Sequence, residues 1–292
     1  MKNNLLVVKF KGGLGNQMFQ YSLYRKFLKL GRKVAADTSW YQEYQKTFDL
    51  LEVFPEIRIN AEDGKAAAHY EKLYRDRSVF DKIIQKLFPQ FRYKTVEQED
   101  LIFQKNVLKC KRGLIDGYWQ TKKYWDDMED EILENYQFQK IEDDSAKKLS
   151  ALLEQETTVS VHVRRGDYLL PENQKIFGNI CTDEYYQRAI AYVSERVPNV
   201  RIVYFTNDLD WVKENDTSKN AIYVGDYLPE GYPDWYDLYF MSRCTHHILA
   251  NSTFSWWGAF LGKNEGNIVV APKEWMNGKP VSDIHCSDWI KL

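Results

Sequence analysis

Val159-Ser160-Val161-His162-Val163-Arg164-Arg165-Gly166-Asp167-Tyr168 changes character at its midpoint. Val159, Val161 and Val163 alternate as in a β-strand, and the strand ends where two arginines, a glycine and an aspartate begin. Open α/β sheets keep their chemistry at such strand ends. Two fixed cations, a turn that glycine permits and one carboxylate suit an anionic ligand whose charge grows during reaction, such as a departing nucleoside diphosphate. The same residues also read as a structural Arg-Asp pair in a surface turn. Arg165-Gly166-Asp167 spells an adhesive tripeptide as well, but the strand before it implies a fixed site rather than a loose loop.

Around this stretch the second half of the chain repeats one theme, a short apolar run followed by a polar turn and a helical pattern. Residues 202–205 lead to Thr206, Asn207 and Asp208; 222–224 read as a weaker strand before a helix over 235–244; 247–250 lead to Asn251, Ser252, Thr253, Phe254 and Ser255 and then a helix through Trp256, Trp257 and Phe260. Residues 183–197 supply another helix, and 268–271 end the series before Pro272. The first half opens with a strand over 5–10, the turn Lys11 to Asn16, and a helix in which Phe19, Leu23, Phe27 and Leu30 share a face, with Gly31 placed as its C-cap. Val34 to Ala36 reads as a second strand ending at Asp37, 66–87 as largely helical, 114–118 as a strand and 122–133 as helical. Strands alternating with helices predict parallel sheets whose polar turns gather along one edge. The acidic run Glu142, Asp143, Asp144 marks the expected boundary between domains at 1–150 and 151–292.

Bulk properties narrow the function classes. A net charge of −2 excludes broad electrostatic attraction to nucleic acid or anionic membrane, so an anionic substrate must be held by a local cluster. Aromatic residues reach 15%, which suits sugar or base stacking while most of them fill the core; Trp256 and Trp257 are expected there. Cys110, Cys181, Cys244 and Cys286 lack the paired spacing of a zinc site, so reduced thiols are expected. The apolar run Leu5 to Val8 is too short for a signal segment and no later stretch reaches membrane-spanning length, which predicts a soluble cytoplasmic protein with no integral membrane segment.

Three turns carry chemistry. Gly13-x-Gly15 after a strand, with Asp37 some 20 residues on, imitates the fingerprint of an NAD(P)-dependent oxidoreductase, but Met18 stands where a third glycine would allow close helix packing. The turn still presents a helix N-terminus, with the amides of Asn16 and Gln17 suited to hydroxyl or phosphate contacts. Asp208-Leu209-Asp210 resembles the paired carboxylates by which metal-dependent glycosyltransferases hold a divalent ion on another nucleotide sugar; Asn207 and Asp208 suit nucleoside hydroxyls or a base edge equally. Asn251 to Ser255 combine an N-cap with a phosphate-binding helix start.

Taken in order, Gly12-Gly13-Leu14-Gly15-Asn16-Gln17-Met18-Phe19-Gln20-Tyr21, Gly117-Tyr118-Trp119-Gln120, His162 to Tyr168, Phe205-Thr206-Asn207-Asp208 and Asn251-Ser252-Thr253-Phe254-Ser255-Trp256-Trp257-Gly258 resemble the α-1,2-fucosyltransferases of glycosyltransferase family 11. Thr206 and Trp119 are small departures, standing where serine and phenylalanine are common. The resemblance implies an α/β, GT-B-type fold of two Rossmann-like domains with parallel sheets facing across a cleft: an N-terminal acceptor side with the Gly-rich turn and a C-terminal GDP-fucose-binding domain. It implies inverting transfer of L-fucose from GDP-β-L-fucose, a co-substrate, to the 2-hydroxyl of a terminal galactose in a glycan acceptor, with no cofactor and no metal. The implied donor-binding residues are Gly13, Gly15, Asn16, Gln17, His162, Arg164, Asn207, Asp208, Asn251, Ser252, Thr253, Phe254 and Ser255. Arg164 is the expected β-phosphate contact; Asp167 is either a general base or the residue that orients Arg164. Arg165 is expected to hold Asp167 or the neighbouring domain. A non-catalytic glycan-binding protein is the remaining alternative.

Overall fold

The computed structural model describes residues 5–62, 64–75, 94–97, 102–218, 220–279 and 283–292, and the chain divides into two compact units, Met1–Gln137 and Phe138–Leu292. The position expected to separate the domains, residue 150, falls inside the helix Asp144–Gln155. Asp143 accepts the Ala146 N–H at 2.8 Å and so caps that helix; the acidic run is a helix start rather than a linker.

The first unit is built on β1 (Leu5–Lys9), β2 (Lys33–Asp37), β3 (Ala61–Glu62), β4 (Lys94–Glu97) and β5 (Gly113–Asp116), in the order β3-β2-β1-β5-β4. All pairs are parallel. The helix Leu14–Lys29 returns the chain from β1 to β2 and buries Phe19, Leu23 and Phe27 completely, as their spacing predicts. Gly31, at φ +69°, ends it in the left-handed conformation, with Gly31 N–H donating to Leu28 O and Arg32 N–H to Phe27 O. Strand order reverses between β1 and β5, and the fully buried Gln20 ties the turns that follow these two strands. Its Nε2 donates to Lys11 O (3.2 Å) and Gly117 O (3.0 Å), while its Oε1 accepts from Lys11 N (3.1 Å).

The second unit carries β6 (Thr158–Val163), β7 (Arg201–Thr206), β8 (Ile222–Tyr223), β9 (His246–Ile248), β10 (Val269–Ala271) and β11 (Ile290–Lys291), in the order β11-β10-β9-β6-β7-β8 and again parallel throughout. Every residue of β6 is buried, the valines on one face and Thr158, Ser160 and His162 on the other. Val159, Val161 and Val163 pack with Ile248 and Val270 from neighbouring strands and with Tyr185, Ala189 and Val193 from the helix Asp183–Ser194. Two tyrosines of that helix pin strand ends: Tyr185 donates to Leu249 O at 2.6 Å and Tyr186 to His162 O at 3.0 Å. Strand order reverses between β6 and β9.

Some expected elements are shorter or different. Residues 122–133 begin as two 3₁₀ turns, Lys122–Tyr124 and Asp126–Met128, before the helix Glu129–Asn135. The helix expected over 66–87 is seen as Lys65–Arg75, and 76–87 lie outside the described residues. Trp235–Met241 replaces the longer helix expected there, and Pro171–Phe177 is a helix the periodicity did not announce. All four cysteines are free, and among the described residues no helix is long and apolar enough to cross a membrane.

The helices Trp235–Met241 and Thr253–Leu261 meet at Gly258, where an added Cβ would stand 2.8 Å from Met241 Cβ. Alanine normally stabilises a helix interior by about 1 kcal/mol over glycine. Here overpacking outweighs that gain, and Gly258→Ala is expected to destabilise by about 1–3 kcal/mol, read as a lower midpoint in chemical denaturation.

Candidate active site

Ligands of open parallel sheets bind outside the carboxyl ends of the strands where the strand order reverses. In the second unit that point lies between β6 and β9, and the segments that leave these strands are residues 164–168 and 249–253. His162, Arg164, Asp167, Asn207, Asp208 and Asn251 to Ser255 all belong to strand ends or turns on this edge. Gly13, Gly15, Asn16 and Gln17 lie on the equivalent edge of the first unit, after β1.

Arg164 is the group best prepared for an anion. Its Nε donates to Asp167 Oδ1 at 2.9 Å, its guanidinium lies 5.6 Å from the Tyr168 ring centroid, and among the described residues no hydrogen bond reaches its two terminal nitrogens. Burial works against its charge, but the hydrogen bond and charge of Asp167, helped by Asp234, more than offset it and hold its pKa above the ordinary value. The side chain is thus fixed at one edge and open at the fork that would grip phosphate.

Arg165 does something else. Its Nε donates to Asp208 Oδ2 at 3.0 Å, its guanidinium sits 4.0 Å from the Trp211 ring, and its backbone N–H donates to Asn207 Oδ1 at 3.0 Å. Its Nε goes to Asp208 rather than to Asp167, and it locks the loop after β6 onto the loop after β7. The second oxygen of Asp208, Oδ1, accepts the Trp211 N–H at 3.3 Å and caps the helix Leu209–Asn215. Both oxygens of Asp208 thus accept a hydrogen bond from the protein.

Several other expected ligand contacts also have partners within the protein. Asn251, 2% exposed, donates from Nδ2 to Phe177 O (3.1 Å) and Trp275 O (3.2 Å) and accepts at Oδ1 from Cys181 Sγ (3.5 Å). Ser255 is equally buried, and its hydroxyl donates to Ala250 O and Ser252 O. Ser252 caps its helix by accepting the Phe254 N–H. Gln17, fully buried, binds Gly12 O and Thr47 O through Nε2 and the Leu50 N–H through Oε1, so its amide is closed to a ligand. Asn16 accepts from Gln120 Nε2 at 2.7 Å. Thr253 and Phe254, at the helix start, are only half-buried, and the Phe254 ring lies 6.1 Å from the His162 ring.

His162 presents the opposite situation. It is 5% exposed and, among the described residues, its buried Nδ1 has no hydrogen-bond partner, an arrangement that costs about 1–3 kcal/mol unless a ligand or water completes it. Burial, reinforced by the charge of Arg164, pushes its pKa down to about 3. Two carboxylates nearby in the chain were not singled out by the sequence. Asp234 lies within electrostatic reach of Arg164, and Asp237 is pushed up to about 7 by burial against the opposing pull of the Tyr232 hydroxyl, which donates to it at 2.8 Å. No spacing rule marks such a carboxylate; only its burial does.

His247, whose Nδ1 meets Ser160 Oγ at 2.9 Å, is also lowered to about 3 by burial. Between about pH 3 and 6.5 the unfolded chain therefore binds protons at both histidines that the folded chain refuses, so stability rises with pH across that window. Acidification from pH 7 to 5 is expected to lower the denaturation midpoint, and His247→Gln should flatten that slope by up to about 1.4 kcal/mol per pH unit. Separately, Asp208→Ala is expected to cost about 1–2 kcal/mol through the lost cap, whereas Asp208→Asn, which keeps a capping oxygen, should cost less by the same denaturation measurement.

Residues 1–292 match the family described as Glycosyl transferase family 11. The chain is similar to an α-1,2-colitosyltransferase from Escherichia coli, 29% identical over 99% of each chain. It is also similar to the human galactoside α-(1,2)-fucosyltransferase 1, 35% identical over 106 residues that cover 36% of this chain and 29% of that one. Among solved structures, an Arabidopsis thaliana FUT1 variant in complex with GDP shares the fold with a TM-score of 0.50 at 13% identity, over 92% of this chain and 70% of that one. Two parallel-sheet α/β units in one chain are the GT-B type. Because the family match runs the full length and takes in every strand-end motif described above, the chain belongs to glycosyl transferase family 11.

Proposed function

We propose that the protein is an inverting galactoside α-1,2-fucosyltransferase that moves L-fucose from GDP-β-L-fucose to the 2-hydroxyl of a terminal galactose. The observation that carries this reading is the half-committed guanidinium of Arg164, anchored through Nε to Asp167 and open at its terminal nitrogens on the edge where strand order reverses. In the reaction the acceptor hydroxyl attacks the anomeric carbon from the face opposite GDP, the bond to the β-phosphate oxygen breaks, and the hydroxyl proton leaves to solvent. Negative charge grows on that phosphate, so a planar, preorganised cation gains most in the transition state. The orphaned Nδ1 of His162 gives the nucleoside a buried hydrogen-bonding partner, with Phe254 beside it. Asp167 acts as the residue that orients Arg164. The first unit, with the turn around Gly13, Gly15 and Asn16, takes the acceptor side. No cofactor enters this scheme, and the commitment of Asp208 to Arg165 and to its helix argues against a metal held by 208–210.

A second donor is favoured by one specific observation, the full-length similarity to a colitosyltransferase. Both donors would use the same diphosphate clamp, so they are separated by assay. GDP release is measured with GDP-fucose and with GDP-linked colitose, against a panel of galactosides, with and without EDTA. The expected outcome is fucose-dependent GDP release that EDTA leaves intact. Turnover with colitose alone would replace the donor, and activity lost to chelation and restored by Mn²⁺ would replace the mechanism.

Arg164→Lys is expected to reduce kcat roughly 10²- to 10³-fold, because an ammonium cannot reproduce the fork. Asp167→Asn retains the oxygen that accepts Arg164 Nε and should stay within about tenfold of wild type, whereas loss of a general base costs about 10²- to 10⁴-fold. A base-sized loss in Asp167→Asn with GDP binding intact would return Asp167 to that role.

A further inference from the structure

Between β6 and the helix Asp183–Ser194, residues 164–181 pass through a 3₁₀ turn, Gly166–Leu169, and the short helix Pro171–Phe177. This strap carries Arg164 at its start, and it is fastened from the far side of the strand reversal. The Tyr168 hydroxyl donates to Asn251 O at 3.1 Å, and the Tyr168 ring stacks on Phe177 with centroids 5.0 Å apart and planes 18° from parallel. Phe177 in turn offers its carbonyl to Asn251 Nδ2 at 3.1 Å. The contacts close a circuit: Asn251 holds Tyr168 and Phe177, these hold each other, and the Tyr168 ring lies beneath the Arg164 guanidinium at 5.6 Å. The outer end of the strap is held by Asn277, which donates to Lys175 O and Gly178 O from its side chain and to Ile176 O from its backbone.

A guanidinium on a loop pays rotamer entropy each time it must find a phosphate, and packing that fixes the rotamer beforehand converts that cost into rate. We infer that Tyr168 and Asn251 are positioning residues for phosphate recognition: they latch the strap so that Arg164 is presented with its fork already aimed, and neither touches the ligand. This rests on the proposal that Arg164 grips the donor diphosphate, and it extends that proposal to Asn251, expected from the sequence as a ligand contact, and to Tyr168.

Tyr168→Phe removes only the hydroxyl that reaches Asn251 O and keeps both ring contacts. The test is a double-mutant cycle of Tyr168→Phe with Arg164→Ala, read by GDP calorimetry and by turnover. With Arg164 present, Tyr168→Phe is expected to lower kcat about tenfold, equivalent to one hydrogen bond's ~1.4 kcal/mol in the transition state, while the donor KM changes less than about twofold. In the Arg164→Ala background the same change should alter neither kcat nor GDP affinity by more than about twofold. Equal losses in both backgrounds, or no loss in the first, overturn the inference. Asn251→Asp, which keeps the shape but removes both N–H donors, is expected to repeat the Tyr168→Phe pattern; should it fail to fold, the tyrosine cycle decides alone. If wild type binds GDP but transfers no fucose, the donor reading fails and the latch is still judged by calorimetry, with Tyr168→Phe expected to weaken GDP binding severalfold only where Arg164 is present.

Discussion

In a parallel sheet every strand points the same way, and the two loops that leave adjacent strands normally turn toward the same side. Beside β6 they diverge, because β7 and β8 extend the sheet in one direction while β9 to β11 extend it in the other. That divergence opens the only kind of space in which a small molecule can approach strand ends without displacing a crossover. It also leaves backbone groups at the ends of β6 and β9 without sheet partners, so polar side chains must gather there for two distinct purposes: to satisfy the protein and to meet a ligand.

The two purposes are divided residue by residue. Asn251, Ser255, Asp208 and Arg165 complete turns within the protein; among the described residues, Arg164 and His162 each keep a polar group without a protein partner. Arg164 and Arg165 are identical in type and adjacent in sequence, yet one is anchored at a single edge and the other is sandwiched between a carboxylate and an indole. What separates them is the partners the fold brings to each: Asp167 from the same turn for Arg164, Asp208 and Trp211 from the loop after β7 for Arg165.

This division also explains what the sequence could and could not convey. The strand ends, the helix Leu14–Lys29 with its Gly31 terminator and the gathering of the second unit's polar turns at one edge of its sheet follow from periodicity and turn chemistry, and the structure has them. Strands as short as Ile222–Tyr223 or Ile290–Lys291 have too few residues to express a period and are held by their neighbours in the sheet. Within the site, residue type announces capacity and never commitment. An asparagine at a strand end is equally able to cap, to bridge or to bind, and only the positions of Phe177 and Trp275, which are distant in sequence, reveal that Asn251 bridges. Asp237 escapes detection for the converse reason, since its environment and not its neighbours in the chain makes it unusual.

The contact between Gly166 and Asn207 carries an evolutionary consequence. A side chain at 166 would collide with the Asn207 amide, Asn207 must stay to receive the Arg165 N–H, and Arg165 needs both Asp208 and Trp211 in place. No member of the set can change profitably alone, so substitution here must proceed through compensated pairs. Across diverging relatives the loops after β6 and β7 should therefore drift as one inherited block, while the exposed strap residues Leu169, Leu170 and Ile176 beside them are free of that constraint.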